Sequence, residues 1–116
     1  MHLDRFTIAA TDVPNMVRFY NAVFGANLQV IPNTPFHAGK LGNCELLVCS
    51  NDVIQIDAKQ NRIQMRFCVE DIEEVVRVAQ ASGGGAFGDR FEDDRRIAWG
   101  IHDPDGNSIE LYQLKN

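Results

Sequence analysis

His102-Asp103-Pro104-Asp105-Gly106-Asn107-Ser108-Ile109-Glu110-Leu111-Tyr112-Gln113 is the most informative stretch of this chain. Pro104 presets φ at the second position of a turn, and Gly106 accepts a positive φ at little cost. Asp103 and Asp105 carry short carboxylates of the kind that bond nearby backbone amides in turns. After the turn the residues alternate. Ile109 and Leu111 share one face, and Ser108, Glu110 and Tyr112 share the other, which is the period of a strand. The strand buries Ile109 and Leu111 and aims the Glu110 carboxylate the opposite way. On an enclosed face that charge is costly unless it is paired, hydrogen-bonded or metal-bound.

Upstream, the chain follows one pattern twice. In residues 3–10, Phe6, Ile8 and Ala10 alternate with Arg5, Thr7 and Ala9, as in a strand. Asp12 suits an N-cap and Pro14 a first helical turn. Val13, Met16, Val17, Tyr20 and Phe24 then form one apolar stripe, and Gly25 ends it. Short strands are expected at 28–31, 36–40 and 44–50. Ile63, Met65, Phe67 and Val69 begin the pattern again. Asp71 caps a helix with the stripe Ile72, Val75, Val76 and Ala79, and Ser82 to Gly85 stops it. Strands are expected near 86–90 and 95–102, with Arg90 to Arg96 as a solvated hairpin tip. At an offset of 59 residues Asp12 meets Asp71, Val17 meets Val76, Arg18 meets Arg77, Phe6 meets Met65 and Ile8 meets Phe67.

Internal repetition on this scale organises a whole fold. The expected architecture is α+β, with two tandem βαβββ units, 1–58 and 61–116, in a single domain. One such unit has too little core to stand alone. The same register sets Arg5 against Gln64, both on the face away from the helix. Glu45 heads a strand in the first half, and Glu110 occupies the comparable last strand of the second. A curved sheet with helices outside turns that face into a concavity suited to a small molecule. Leu47, Trp99 and Tyr112 are further candidates for its wall.

Composition narrows the function classes. The formal net charge of −5 argues against nucleic acid as a partner, since phosphate binding needs a basic surface. No apolar run approaches the ~20 residues that span a bilayer. Asp4 and Arg5 interrupt any apolar core of a secretion signal, so the expected location is cytoplasmic. The three cysteines, Cys44, Cys49 and Cys68, lack CxxC spacing and read as small buried residues in a reducing compartment.

The paired units, the early Asp12-Val13-Pro14…Phe19-Tyr20…Phe24-Gly25 segment and the terminal Asp103-Pro104-Asp105-Gly106-Asn107-x-Ile109-Glu110-Leu111 together resemble the vicinal oxygen chelate superfamily. This is the group of glyoxalase I, bleomycin-resistance proteins and extradiol dioxygenases. The resemblance implies a cupped mixed sheet with helices outside, and a homodimer. In metal-using members it also implies four ligands, drawn from His, Glu and sometimes Gln, on the first and last strands of each unit. Carried over, the last position falls on Glu110, the third on Gln64, the second near Glu45 and the first on Arg5. A guanidinium offers no lone pair and repels a divalent cation. His37 and His102 lie off these positions. The expectation is therefore a metal-free cavity, with Arg5 as a buried counter-ion to Glu110, Glu45 or both.

Three readings of function follow. The first is a metal-free protein that binds a small molecule in a sheet-lined cavity. The second is a lyase, isomerase or dioxygenase that holds Ni, Zn, Mn or Fe through Glu45, Gln64 and Glu110, with Glu110 as ligand or base. The third is an interaction module with a vestigial cavity.

Overall fold

A computed structural model describes residues 1–116. Its elements are β1 (Arg5–Ala10), α1 (Val13–Phe24), β2 (Gln29–Val30), β3 (His37–Leu41), β4 (Cys44–Ser50), β5 (Met65–Cys68), α2 (Ile72–Ala81), β6 (Gly85–Glu92), β7 (Arg96–His102) and β8 (Ser108–Leu114). They fall into two compact units, Met1–Lys59 and Gln60–Asn116. The first holds a four-stranded sheet in the order β1-β4-β3-β2, the second one in the order β5-β8-β7-β6. In each unit the first strand runs parallel to the last, and the remaining neighbours are antiparallel. The two units thus repeat one βαβββ topology, an α+β fold with mixed sheets. No helix is long and apolar enough to cross a membrane.

Both helices start as their sequences dictate. Asp12 is extended, and its carboxylate accepts the amide of Asn15 at 3.0 Å; Asp71 does the same for Glu74 at 3.2 Å. The amide of Ile72 donates to Gln113 Oε1 at 2.9 Å, so β8 also helps to hold the start of α2. Gly25 ends α1 in the left-handed region at φ 61°.

The core of the first unit joins α1 to one face of its sheet. Met16, Phe19 and Tyr20 are fully buried, as are Leu46 and Val48 of β4, beside Ile8 and Ala10. The stripe read from the sequence missed Phe19, which meets Tyr20 edge-on at 5.3 Å and Phe24 at 6.4 Å. In the second unit Ile72, Val76 and Ala79 of α2 are buried with Ile97, Ile101, Ile109 and Leu111.

The turn before β8 is a buried polar knot. Asp103 is fully buried. One of its carboxylate oxygens accepts the amides of Asp105 and Asn107 at 3.0 and 2.9 Å, and the other accepts Asn107 Nδ2 at 2.9 Å. Asn107 Oδ1 in turn accepts the amide of Asn61 at 2.5 Å, which ties the start of the unit to its last turn. Gly106 has the positive φ, 84°, that the turn requires.

Several expectations are corrected. The strand expected at 63–69 pairs only from Met65 to Cys68, and Ile63 is exposed. β6 extends through Glu92, so the charged hairpin tip is shorter than Arg90 to Arg96. Arg90 and Glu92 stay on the strand because ion pairs satisfy them there. Of the cysteines only Cys49 is buried; Cys68 is exposed because its face of β5 is the one away from α2.

Those ion pairs link three segments. Arg90 donates to Glu73 of α2 at 2.7 Å and to Glu92 at 2.8 Å, and Lys115 donates to Glu92 at 2.6 Å.

Two outcomes are expected. Asp103→Ala strands buried amide donors and should lower unfolding stability by about 3 kcal/mol in urea titrations. A loss under about 0.5 kcal/mol, the range of a surface change, would show that the knot is not a keystone. Hydrogen bonds from Lys115 and Arg90 hold Glu92 below the usual carboxylate range. Its contribution is therefore full above the unfolded value and fades as pH falls through the folded one. Glu92→Gln should flatten that acid limb of the stability profile, and an unchanged limb would contradict the assignment.

Candidate functional site

Register decides which side chains share the sheet face away from each helix. In the second unit Arg66 pairs with Glu110, Glu110 with Gly100, and Gly100 with Phe87. These four make one row across β5, β8, β7 and β6. Cys68, Tyr112, Ala98 and Phe91 make the next. Gln64 stands one step before β5, and its Nε2 donates to Ser108 Oγ at 2.9 Å, beside the first row. Phe87 and Phe91, four residues apart, share this face by alternation, and the shift of the ladder between them sets Phe91 opposite Ala98, in the row next to that of Phe87. Gly88, at φ 73°, lies in that bulge.

This face carries a hollow of about 230 Å³. Gln64, Glu110 and Trp99, all foreseen from the sequence, line it, together with Phe87, Phe91, Ala98 and Gly100. Its floor is low because β7 offers only Ala98 and Gly100 there. A Cβ on Gly100 would lie 2.6 Å from the Phe87 carbonyl oxygen and 3.1 Å from its ring, so the glycine lets Phe87 lie close against β7. Phe87 and Phe91 are each about half exposed, at 51% and 50%. Trp99 belongs to the opposite row, with Ile97 and Ile101, and its indole N–H donates to the Gly88 carbonyl at 3.3 Å.

The charges on this face are arranged unusually. Glu110 forms no ion pair, although Arg66 is its register partner. The Arg66 guanidinium lies instead over the Tyr112 ring, 4.2 Å from its centroid.

The first unit shows the same rows with different chemistry. Arg5 pairs with Glu45, and Thr7 pairs with Leu47. Arg5 Nε donates to Glu45 Oε1 at 2.9 Å, with the two side chains 48% and 45% exposed. The pair expected to be buried is therefore half in water, and a pair so placed stabilises by at most about 1 kcal/mol. The helix caps Asp12 and Asp71 fix the correspondence between units. Arg5 then matches Gln64, and Thr7 matches Arg66. The counterpart of Glu110 is accordingly Leu47, and that of Glu45 is Ser108. The position sought near Glu45 lies two residues further on, at a buried leucine.

That register bears on a metal. Of the four positions to which the superfamily resemblance assigns ligands, the first unit supplies Arg5 and Leu47. Neither has a lone pair to give. No three His, Cys, Asp or Glu side chains gather as a metal site. Arg5 and Leu47 do not fit a catalytic divalent ion.

Sequence reasoning missed Arg66, Phe87, Phe91 and Gly100. Gly100 was detectable, since Ala98 and Gly100 form a small-residue face between Ile97, Trp99 and Ile101. The two phenylalanines share parity, but the strand expected near 86–90 stops short of Phe91. A larger hollow of about 630 Å³ in the first unit, among Thr11, Asn51, Asp52 and Lys59, holds none of the foreseen residues.

Comparison with known proteins agrees with the topology. The superposition on a glyoxalase/bleomycin resistance protein/dioxygenase family enzyme from Burkholderia phytofirmans PsJN has a TM-score of 0.78 at 19% identity, covering 99% of this chain and 100% of that one. A glyoxalase-related enzyme from Fulvimarina pelagi gives 0.74 at 17% identity, over 97% and 87% of the two chains. A glyoxalase/bleomycin resistance protein from Albidiferax ferrireducens T118 gives 0.71 at 17% identity, over 96% and 97%. At such identities the likeness carries the fold alone. No curated protein matches the sequence. The model of the glyoxalase-like domain matches residues 5–112, which is nearly the whole chain, and the protein belongs to that family.

Proposed function

We propose that this chain binds a small organic molecule in the hollow on the second unit's sheet, and does so without a metal ion. The observation that carries the reading is the lining itself. Two half-exposed phenylalanines stand over a floor of Ala98 and Gly100, with the unpaired Glu110 carboxylate, the Asp89 carboxylate and the Gln64 amide completing the lining. Apolar walls with a few convergent polar groups are what a small-molecule site requires. The size sets the scale of the ligand. A cavity of roughly 150 Å³ takes benzene, so about 230 Å³ has room for a ring and a short substituent. Arg5 and Leu47 at ligand positions support the metal-free half of the reading.

A metal-dependent lyase, isomerase or dioxygenase is the second reading, and one observation favours it. Glu110 and Gln64 lie together in the hollow with oxygen atoms to offer. Glu110 would then serve as ligand or base.

Trp99 is the only tryptophan and lines the hollow, so its emission reports on occupancy. Benzyl alcohol should change that emission saturably and raise Tm by mass action. Ala98→Leu, which fills the floor from a position that already carries a Cβ, should abolish the response, with circular dichroism checking that the variant folds. An unsaturable response, or one that Ala98→Leu leaves intact, would contradict the site. Protein dialysed against Ni or Zn should retain under about a tenth of a metal per chain, whereas a catalytic site would hold close to one.

A further inference from the structure

Two arginine–glutamate register pairs occur in this chain, and they behave differently. Arg5 and Glu45 are partners on adjacent parallel strands and close into an ion pair at 2.9 Å. Arg66 and Glu110 are partners in the same sense, on the equivalent strands of the second unit. Adjacent strands lie about 4.8 Å apart, so the same closure is within reach. It does not form. The guanidinium stacks on Tyr112 at 4.2 Å, and the Glu110 carboxylate is left on the wall of the hollow without an ionic partner.

Stacking occupies the face of a guanidinium and leaves its N–H edge free, the edge that grips a carboxylate or phosphate in bidentate fashion. The carboxylate of Glu110 likewise keeps its acceptor positions for an ammonium or another N–H donor. A cation-binding group and an anion-binding group thus stand side by side on one sheet face. The half-exposed phenylalanines Phe87 and Phe91 lie on the same face.

We propose that this open pair recognises a zwitterion bearing a compact apolar group. The ligand's ammonium sits on Glu110, its anionic group on the Arg66 edge, and its apolar part against Phe87 over Gly100. The inference rests on the reading of the hollow as a binding site, and it adds the ligand's charge pattern. A ligand with one charge meets only half of the pair. A zwitterion meets both and replaces the salt bridge that the protein leaves unmade, with each group held by a charge-assisted hydrogen bond.

The test uses the full chain, Trp99 emission and four probes that share a phenyl ring: L-phenylalanine, phenethylamine, 3-phenylpropionate and benzyl alcohol. L-Phenylalanine should bind at least about fivefold more tightly than either singly charged probe. Arg66→Gln should weaken L-phenylalanine and 3-phenylpropionate by about tenfold and leave phenethylamine unchanged. Glu110→Gln should weaken L-phenylalanine and phenethylamine and spare 3-phenylpropionate. Both substitutions lie on a partly solvated face, and native circular dichroism checks that each variant folds. L-Phenylalanine binding no more tightly than the single-charge probes, or the two variants failing to split the probes by charge, overturns the proposal. If benzyl alcohol binds while no charged probe improves on it, the hollow stands as a site and the zwitterion reading falls. If benzyl alcohol also fails to bind, both fall.

Discussion

The parallel pairing of the first strand of each unit with its last is the constraint from which the rest follows. β1 lies in register along β4, and β5 along β8. Every side chain on these strands is thereby assigned to the helix face or to the opposite face, and a slip of one residue would exchange the two. Burial holds the register. Leu46 and Val48 face α1, and Ile109 and Leu111 face α2, with almost no exposure. Exposing such a set would forfeit roughly 2 kcal/mol for each large aliphatic side chain. The polar residues on the other face are carried along by this choice. Glu110 points away from α2 because Ile109 and Leu111 cannot.

One backbone frame therefore presents two unlike faces. In the first unit the row that corresponds to Glu110 reads Thr7, Leu47, Ala38 and Gln29, and the adjacent row holds the closed pair Arg5–Glu45. In the second unit the row reads Arg66, Glu110, Gly100 and Phe87. The first is uncharged beside a satisfied charge pair. The second joins unpaired charge to aromatic surface across a glycine. Duplication fixes the positions, and the residues at those positions set the chemistry. Membership of the glyoxalase-like family accounts for the frame, while Arg5 and Leu47 stand where the superfamily resemblance would place metal ligands.

Much of the frame was legible in the sequence because it rests on short-range chemistry. The two Asp caps, Gly25, the Asp103 to Asn107 turn and the alternation in β8 each act within a few residues, and each stands where it was expected. The misses come from long-range geometry. Phe19 was left out of the α1 stripe because neighbouring apolar residues on one helix define several overlapping stripes, and only the sheet chooses among them. Glu45 reads as the counterpart of Glu110 in the sequence because both are acidic and both lie on a last strand. The ladder shows that Leu47 holds that place. Phe87 and Phe91 share a face by alternation, but only the bulge brings them into adjacent rows, and Phe91 lies beyond the strand expected near 86–90. Gln64, Glu110 and Trp99 were found because parity or pattern marked them, and Arg66 was passed over because a charged residue on a strand usually means a solvated one.

One type of register pair is closed in the first unit and open in the second. The side-chain NMR signals of Arg5 and Arg66 in the free protein test this most directly. Ring current from Tyr112 should displace the Arg66 signals upfield of those of Arg5, and only the Arg5 Nε–H should show the slowed exchange of a hydrogen bond to a carboxylate. Equal protection of both Nε–H groups, with no upfield displacement at Arg66, would mean that Glu110 is paired and that the second unit has no open pair.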